Sequence, residues 1–348
     1  MTIQSTIARL LLKLPPNWLV KASGGAPEEI GGRTLDPHFQ FITYGARKQP
    51  SFSSMTAVQG QAASKAGLAL FAAEPEPGVQ FEDMSIPSAG HEIPARLYRP
   101  PSQDPDAPLM VYLHQGGGVI GDLEICHAFC SIIAMSVGCP VVSVDYRLAP
   151  EHPFPAGLED AICAYEWALK NAESFGAPAG RAAVGGDSMG GNFSAILAQE
   201  MQRDHKPLPC LQLLIYPATD MVTETPSTTL YADTYPLSSD TMDWFMGHYL
   251  PEGQDLADVR ISPGQEMDLT GLPPAILVTA GFDPLVDQGA AYAKRLEEAG
   301  VPVTFKSYDS LAHGFTAFTD VVPAADAACR EIATMVSAAY ARLKQAKP

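Results

Sequence analysis

Basic side chains are scarce in this sequence: 22 Lys and Arg stand against 39 Asp and Glu, a formal net charge of −17. Nucleic acid and anionic membrane surfaces therefore find no basic footprint and are not expected as partners, while the excess charge favours solubility. Charge of either sign is thin, 18% of residues against 46% hydrophobic, which excludes a disordered chain and leaves a folded one. Cysteine is sparse too. Cys126, Cys130, Cys139, Cys163, Cys210 and Cys329 are scattered, at no spacing that suits zinc and far below the density of a disulfide scaffold. They are read as reduced, buried thiols of a cytoplasmic protein, with no metal site. Long apolar runs are also missing. The N-terminal stretch Ile7 to Leu14 is broken by Arg9 and Lys13 and ends at Pro15-Pro16, short of the roughly 20 residues that a membrane span needs. It shows no signal-peptide core followed by a cleavage site. An amphipathic helix against the protein's own surface is expected, with no stable membrane anchor.

What is present is a change of pattern along 348 residues. Residues 1–75 read as helices and loops without a strand, including a helix opened by Asp36-Pro37 and another over about 54–73. From Val79 two alternating stretches, 79–86 and 91–98, suggest antiparallel strands joined around Ser88-Ala89-Gly90. Continuous apolar strands follow at 109–113, 140–144, 182–184, 211–216 and 275–279, then a last strand at 303–308. Helical stretches lie at about 124–137, 157–174, 189–203, 285–299 and 324–345. Strands apolar on both faces and alternating with helices predict an α/β protein with a mostly parallel sheet, whose ligand site lies at the carboxyl ends of the strands. The segment after Tyr216 breaks the alternation. It carries a helix over about 240–250 with Met242, Phe245, Met246, Tyr249 and Leu250 on one face, and reads as a lid that also packs on the N-terminal helices.

Gly186-Asp187-Ser188-Met189-Gly190 sits between a buried strand and a helix. This is the pattern of a nucleophile elbow, in which the small residues let neighbouring segments close on a tight turn and the serine projects at a helix N-terminus. A serine needs a base and a carboxylate to orient that base, expected here in the order Ser, acid, His. Three histidines lie downstream. His205 follows a helix among charged residues, His248 lies on the lid helix, and His313 follows the last strand; His313 is taken as the base. Asp283, at a strand tip, is favoured as the acid over Asp287 one turn later. His114-Gln115-Gly116-Gly117-Gly118 follows the strand ending at Leu113. Glycines there let backbone N–H groups face an oxyanion, with the N–H of Met189 as the further donor.

These pieces resemble the hormone-sensitive-lipase family of α/β-hydrolases, the bacterial family IV esterases. The matching stretches are His114–Asp122 (HQGGGVIGD), Asp145–Ala156 (DYRLAPEHPFPA), Gly185–Asn192 (GGDSMGGN), Leu272–Asp287 (LPPAILVTAGFDPLVD) and Ala312–Phe315. The resemblance implies an α/β-hydrolase fold and a carboxylester hydrolase with Ser188 as nucleophile, His313 as base and Asp283 as acid. It implies Gly116, Gly117 and Met189 as oxyanion donors, and a preference for short to medium acyl chains on small-molecule esters. It also implies a helical cap from residues 1–75 and 218–270 over a catalytic unit of 76–217 and 271–348, and frequent homodimers. Asp187 and Val286 are expected to contact substrate. No cofactor is called for.

Two departures from the family pattern bear on substrate choice. Gln115 stands where the family has the first glycine of its loop, and Gly118 where it has an aromatic residue. Met189 replaces the usual alanine. Tyr146 to Glu151 is read as a structural brace of the elbow. The alternatives are an amidase or formamidase using the same triad, and a small-molecule receptor on the same fold, which has no need of a complete triad.

Overall fold

Five strands buried at every residue form the middle of the sheet in the computed structural model, which describes residues 3–345. They are β5 (Leu109–Leu113), β6 (Val141–Val144), β7 (Ala182–Asp187), β8 (Gln212–Ile215) and β9 (Ala275–Phe282). With β3 (Gln80–Pro87), β4 (Glu92–Arg99) and β10 (Val303–Ala312) they make one sheet of order β10-β9-β8-β7-β5-β6-β4-β3. Every neighbouring pair from β10 to β6 is parallel, and β4 runs antiparallel to both β6 and β3.

Burial on both faces requires helices on both faces. On one lie α5 (His127–Val137) and α11 (Pro323–Gln345), whose Phe129, Ile133, Ile332 and Val336 pack with Met110, Tyr112, Val141 and Ile276. On the other lie α6 (Ala156–Asn171) and α7 (Met189–Arg203), packed on Leu109, Val111, Leu113 and Val142. The period-two alternation of β5 thus divides its side chains between the two cores. A third cluster joins α7 and α10 (Val286–Glu298) over β8 and β9 through Ala198, Leu214, Leu277, Tyr292 and Leu296. The helix expected from residue 285 begins at Val286.

The N-terminal block contains α1 (Ile3–Leu12), α2 (Pro16–Ala22), α3 (Pro37–Ala46) and α4 (Ala57–Ala69). Asp36 caps α3 as expected, accepting from the His38 N–H at 2.8 Å. The second helix is shorter than 54–73. Its start is set by a reciprocal cap between Thr56 and Gln59, and beyond Ala69 the chain turns to lay Phe71 against Phe318, ring centroids 5.9 Å apart. Phe39 meets the same Phe318 at 5.4 Å, so this block leans on the rest of the protein. The expectation of no strand before residue 75 is corrected by a small hairpin, β1 (Glu29–Ile30) with β2 (Arg33–Thr34), turning at Gly31-Gly32. Strands of two residues are too short to show alternation, and the glycine pair is their one signal.

Between β8 and β9 lie α8 (Pro226–Leu230) and α9 (Ser239–Tyr249), the latter capped by Ser238. The buried stripe of α9 is rotated by about one residue from the expected one: Trp244, 7% exposed, is buried and Met246 only half-buried. The reason is a partner for the indole. Trp244 Nε1–H donates to the Met55 carbonyl at 2.9 Å and the ring packs on Phe52 at 5.2 Å, and an indole is buried readily only when its N–H is satisfied. Among the described residues no helix is long and apolar enough to cross a membrane.

Candidate active site

Strand β7 delivers Ser188 onto a turn that few side chains adopt, with φ 55° and ψ −116°. Two hydrogen bonds hold it there: the Ser188 N–H donates to the Ile215 carbonyl at 2.8 Å, and its carbonyl accepts from the Asn192 N–H at 3.0 Å. The flanking glycines are demanded by proximity. A Cβ on Gly190 would lie 1.9 Å from the Leu113 carbonyl oxygen, and one on Gly186 would lie 2.4 Å from the Gly190 backbone. Ser188 therefore stands at the N-terminus of α7, as the motif predicts.

His313 follows the last residue of β10. Its Nε2 accepts from the Ser188 hydroxyl at 2.9 Å, and its Nδ1–H donates to Asp283 Oδ2 at 2.7 Å. Asp283 follows β9 and is completely buried. Its other oxygen, Oδ1, accepts from the Leu285 N–H at 2.8 Å, so the carboxylate caps the turn into α10 while it orients the imidazole. Asp287 is elsewhere, accepting from the Ser227 N–H at 2.8 Å to tie α10 to α8. His248 bonds the Trp244 carbonyl one turn back on its own helix, and His205 lies exposed beyond α7.

The loop after β5 winds through three glycines in the left-handed region: Gly116 (φ 130°), Gly117 (φ 62°) and Gly118 (φ 71°). The Gly116 carbonyl is tied down by the N–H groups of Val119 and Ile120 at 3.0 and 2.9 Å. Among the described residues, the N–H groups of Gly116, Gly117 and Met189 meet no protein acceptor. His114 anchors the loop from beneath. Its Nδ1–H donates to the Gln115 carbonyl at 2.7 Å, its ring stacks on Tyr146 at 4.2 Å, and the Tyr146 hydroxyl donates to the His114 carbonyl at 2.6 Å. Burial pushes the His114 pKa down to about 4, so this ring is a neutral strut at physiological pH. The Tyr146 segment is structural, as expected, and braces this loop as well as the elbow. Tyr146 also edges Phe193 of α7 at 5.1 Å, and Arg147 holds Asp160 through two 2.8 Å hydrogen bonds.

Helix α9 closes over the glycines. A Cβ on Gly117 would lie 2.3 Å from the Phe245 ring, and one on Gly118 would lie 2.5 Å from the Tyr249 ring. The aromatic volume missing from the loop at Gly118 is thus supplied by the helix, a compensation that the substitution at Gly118 hinted at and no spacing rule locates. Phe245 and Met242 also border an apolar cluster of Ala218, Leu237 and Leu285. Ala218 and Leu285 touch the Ser188 and Asp283 segments directly, through Ala218 N–H to Ser188 O at 3.4 Å and Leu285 N–H to Asp283. The Met189 side chain is buried in the cluster that holds Val119, Phe193 and Tyr249.

Asp187 and Val286 both turn into the interior. Val286 is a core residue of the α11 side. Asp187 Oδ2 accepts from the hydroxyls of Tyr216 at 2.9 Å and Thr316 at 2.7 Å, which ties the nucleophile turn to the loop that follows His313. Tyr216 and Thr316 carry no sequence signal of this role. Burial raises the Asp187 pKa, opposed by those hydroxyls. The folded protein therefore holds this proton more tightly than the unfolded chain does, and stability is lost as pH rises from the ordinary carboxylate range through the raised value. Asp187→Asn keeps an acceptor for both hydroxyls and carries no charge. It should melt above the wild type near pH 8, with the gain fading as the pH approaches about 4. Thermal unfolding of both proteins across that range checks the sign, and a variant that melts lower than wild type near pH 8 contradicts it.

A strand-to-helix nucleophile turn, a histidine after the last strand and a glycine loop after β5 are the parts of an α/β-hydrolase. The chain matches the family described as alpha/beta hydrolase fold over residues 110–317 and belongs to it, in the hormone-sensitive-lipase type. It is 41% identical over 334 residues to the carboxylic ester hydrolase LipN of Mycobacterium tuberculosis, covering 90% of this chain and 86% of that one. An ethyl acetate hydrolase of Pseudomonas putida is 39% identical over 250 residues, 71% of this chain and 79% of that one. Among solved structures, an ester hydrolase from the metagenome of Lake Arreo, complexed with a bipyridine phosphonate derivative, superposes with a TM-score of 0.84. It is 39% identical, over 88% of this chain and 99% of that one.

Proposed function

We propose that this chain is a serine carboxylic ester hydrolase acting on small esters with short to medium acyl chains. The observation that carries the reading is the unbroken hydrogen-bond chain Asp283–His313–Ser188, at 2.7 and 2.9 Å, together with three backbone N–H groups that meet no protein acceptor among the described residues. His313 takes the Ser188 proton as Oγ attacks the ester carbonyl, and the imidazolium is stabilised by Asp283. The oxyanion rests on the N–H groups of Gly116, Gly117 and Met189. His313 then protonates the departing alcohol, and water hydrolyses the acyl-enzyme by the reverse transfers. The acyl chain lies against Ala218, Leu237, Leu285, Met242 and Phe245, which offer it apolar surface only. In this reading residues 1–75 and 218–270 form a cap over the catalytic unit of 76–217 and 271–348, supported by the packing of α9 on both Phe52 and the glycine loop.

The test is a series of p-nitrophenyl esters from acetate to palmitate beside the matched p-nitroanilides. The expected result is kcat/KM highest between acetate and octanoate, and anilides slower by orders of magnitude. Anilides cleaved as fast as esters would make the enzyme an amidase; no hydrolysis of any ester would remove the reading.

A further inference from the structure

Gln115 begins the glycine loop, in the place where the related pattern has glycine. The side chain is not merely tolerated there. It lies against Gly314, the residue after His313: a Cβ on Gly314 would sit 2.9 Å from Gln115 Oε1, and Gly314 is itself in the left-handed region at φ 75°. The glutamine amide is thus wedged at the junction between the oxyanion loop and the loop that carries the base. The residue is 8% exposed, and among the described residues its amide has no hydrogen-bond partner. Neither amide atom is among the fully covered unpaired ones, so the small exposure of the residue reaches the amide, which is completed by water or by a ligand group that displaces it.

Asn192, Gln288 and Asp187 each spend polar atoms on the protein itself. Asn192 donates to the Ala218 and Ile261 carbonyls, Gln288 accepts from the Thr219 N–H, and Asp187 is held by Tyr216 and Thr316. The two sides of the site then differ in kind. The side under α9 presents the apolar cluster of Ala218, Leu237 and Leu285 with Met242 and Phe245. The His313 side carries the Gln115 amide. His313 Nε2 gives its proton to the departing oxygen, so the alcohol portion of an ester lies on the His313 side of Ser188.

We propose that Gln115 is a specificity-determining residue that hydrogen-bonds the alcohol portion of the substrate, so that the preferred class is esters whose alcohol bears a second hydrogen-bonding oxygen, as in esters of diols and glycerol. The amide offers both a donor and an acceptor, which a hydroxyl uses fully and an alkyl chain leaves unpaired. This rests on the ester-hydrolase reading above.

Propyl butyrate and 2-hydroxyethyl butyrate have the same number of heavy atoms and differ by one hydroxyl for methyl exchange. An apolar alcohol site favours the propyl ester, because the hydroxyl loses its water. The wild type should instead favour the hydroxyethyl ester in kcat/KM, and Gln115→Leu should lower the ratio of the two by about tenfold, the size of one net hydrogen bond. Gln115→Glu, still polar and of the same length, should retain a ratio above that of the leucine variant. A wild type that prefers the propyl ester, a ratio unchanged in the leucine variant, or a glutamate variant whose ratio falls to that of the leucine variant, overturns the role of Gln115. A wild type inactive on p-nitrophenyl butyrate overturns the ester-hydrolase reading itself, so the two failures are told apart. If the leucine variant does not fold, the wild-type preference and Gln115→Met, which also removes the amide and should lower the ratio in the same way, decide the question.

Discussion

Ser188→Ala should reduce kcat on every substrate of this protein by about a millionfold while the fold is retained. The substitution removes one atom. The Cβ stays, so the strained backbone at φ 55° is no worse off, and the hydrogen bonds from Ser188 N–H to Ile215 and from Asn192 N–H to Ser188 O involve only main chain. What goes is the hydroxyl oxygen hydrogen-bonded to His313 Nε2 at 2.9 Å. The glycine-loop amides remain, so a residual acceleration of about 10³–10⁴ over water is expected to survive. Steady-state hydrolysis of p-nitrophenyl butyrate, together with circular dichroism and thermal unfolding, separates loss of chemistry from loss of fold. Turnover near that of the wild type in a pure preparation would remove Ser188 as nucleophile.

Asp283→Asn should lower kcat by about 10⁴-fold and for a different reason. Asparagine keeps Oδ1, so the Leu285 N–H retains its acceptor and the turn into α10 is preserved. The group facing His313 Nδ1, however, changes from an acceptor to a donor. The imidazole answers by carrying its proton on Nε2, the atom that must accept the serine proton. The effect is thus a wrong tautomer in an intact site, visible as a collapse in kcat with little change in KM. Asp287→Asn is the control. Its carboxylate accepts from the Ser227 N–H, so it should change stability and leave kcat within a few-fold of wild type. Equal losses in the two variants would shift the acid assignment away from Asp283.

Much of this arrangement was legible because its signals are local. The continuous apolar runs mark β5 to β9, since burial on both faces leaves no alternation to hide them. The elbow is legible because a Cβ at Gly186 or Gly190 cannot be accommodated. His313 follows from elimination among three candidates plus its place after the last strand. The parts that stayed hidden rest on partners distant in sequence. The stripe of α9 turns on an indole N–H that finds a carbonyl 189 residues away at Met55. The Asp187 side chain looks, from its place beside the nucleophile, like a substrate contact; its hydroxyl partners Tyr216 and Thr316 come from two other segments, Thr316 lying 129 positions on. The two-residue strands of the early hairpin are simply too short for any periodicity to develop.

The rings of Phe245 and Tyr249 on Gly117 and Gly118 have a consequence for how such proteins can be recombined. The volume that a loop aromatic would fill has been moved to a helix that arrives much later in the chain. A chimera that took its loop from a relative with an aromatic after the glycines, and kept this helix, would place two rings in one space. The reverse exchange would leave a void over Gly117 and Gly118. The loop and the helix are therefore inherited as a matched pair, and a functional graft onto this scaffold has to carry both.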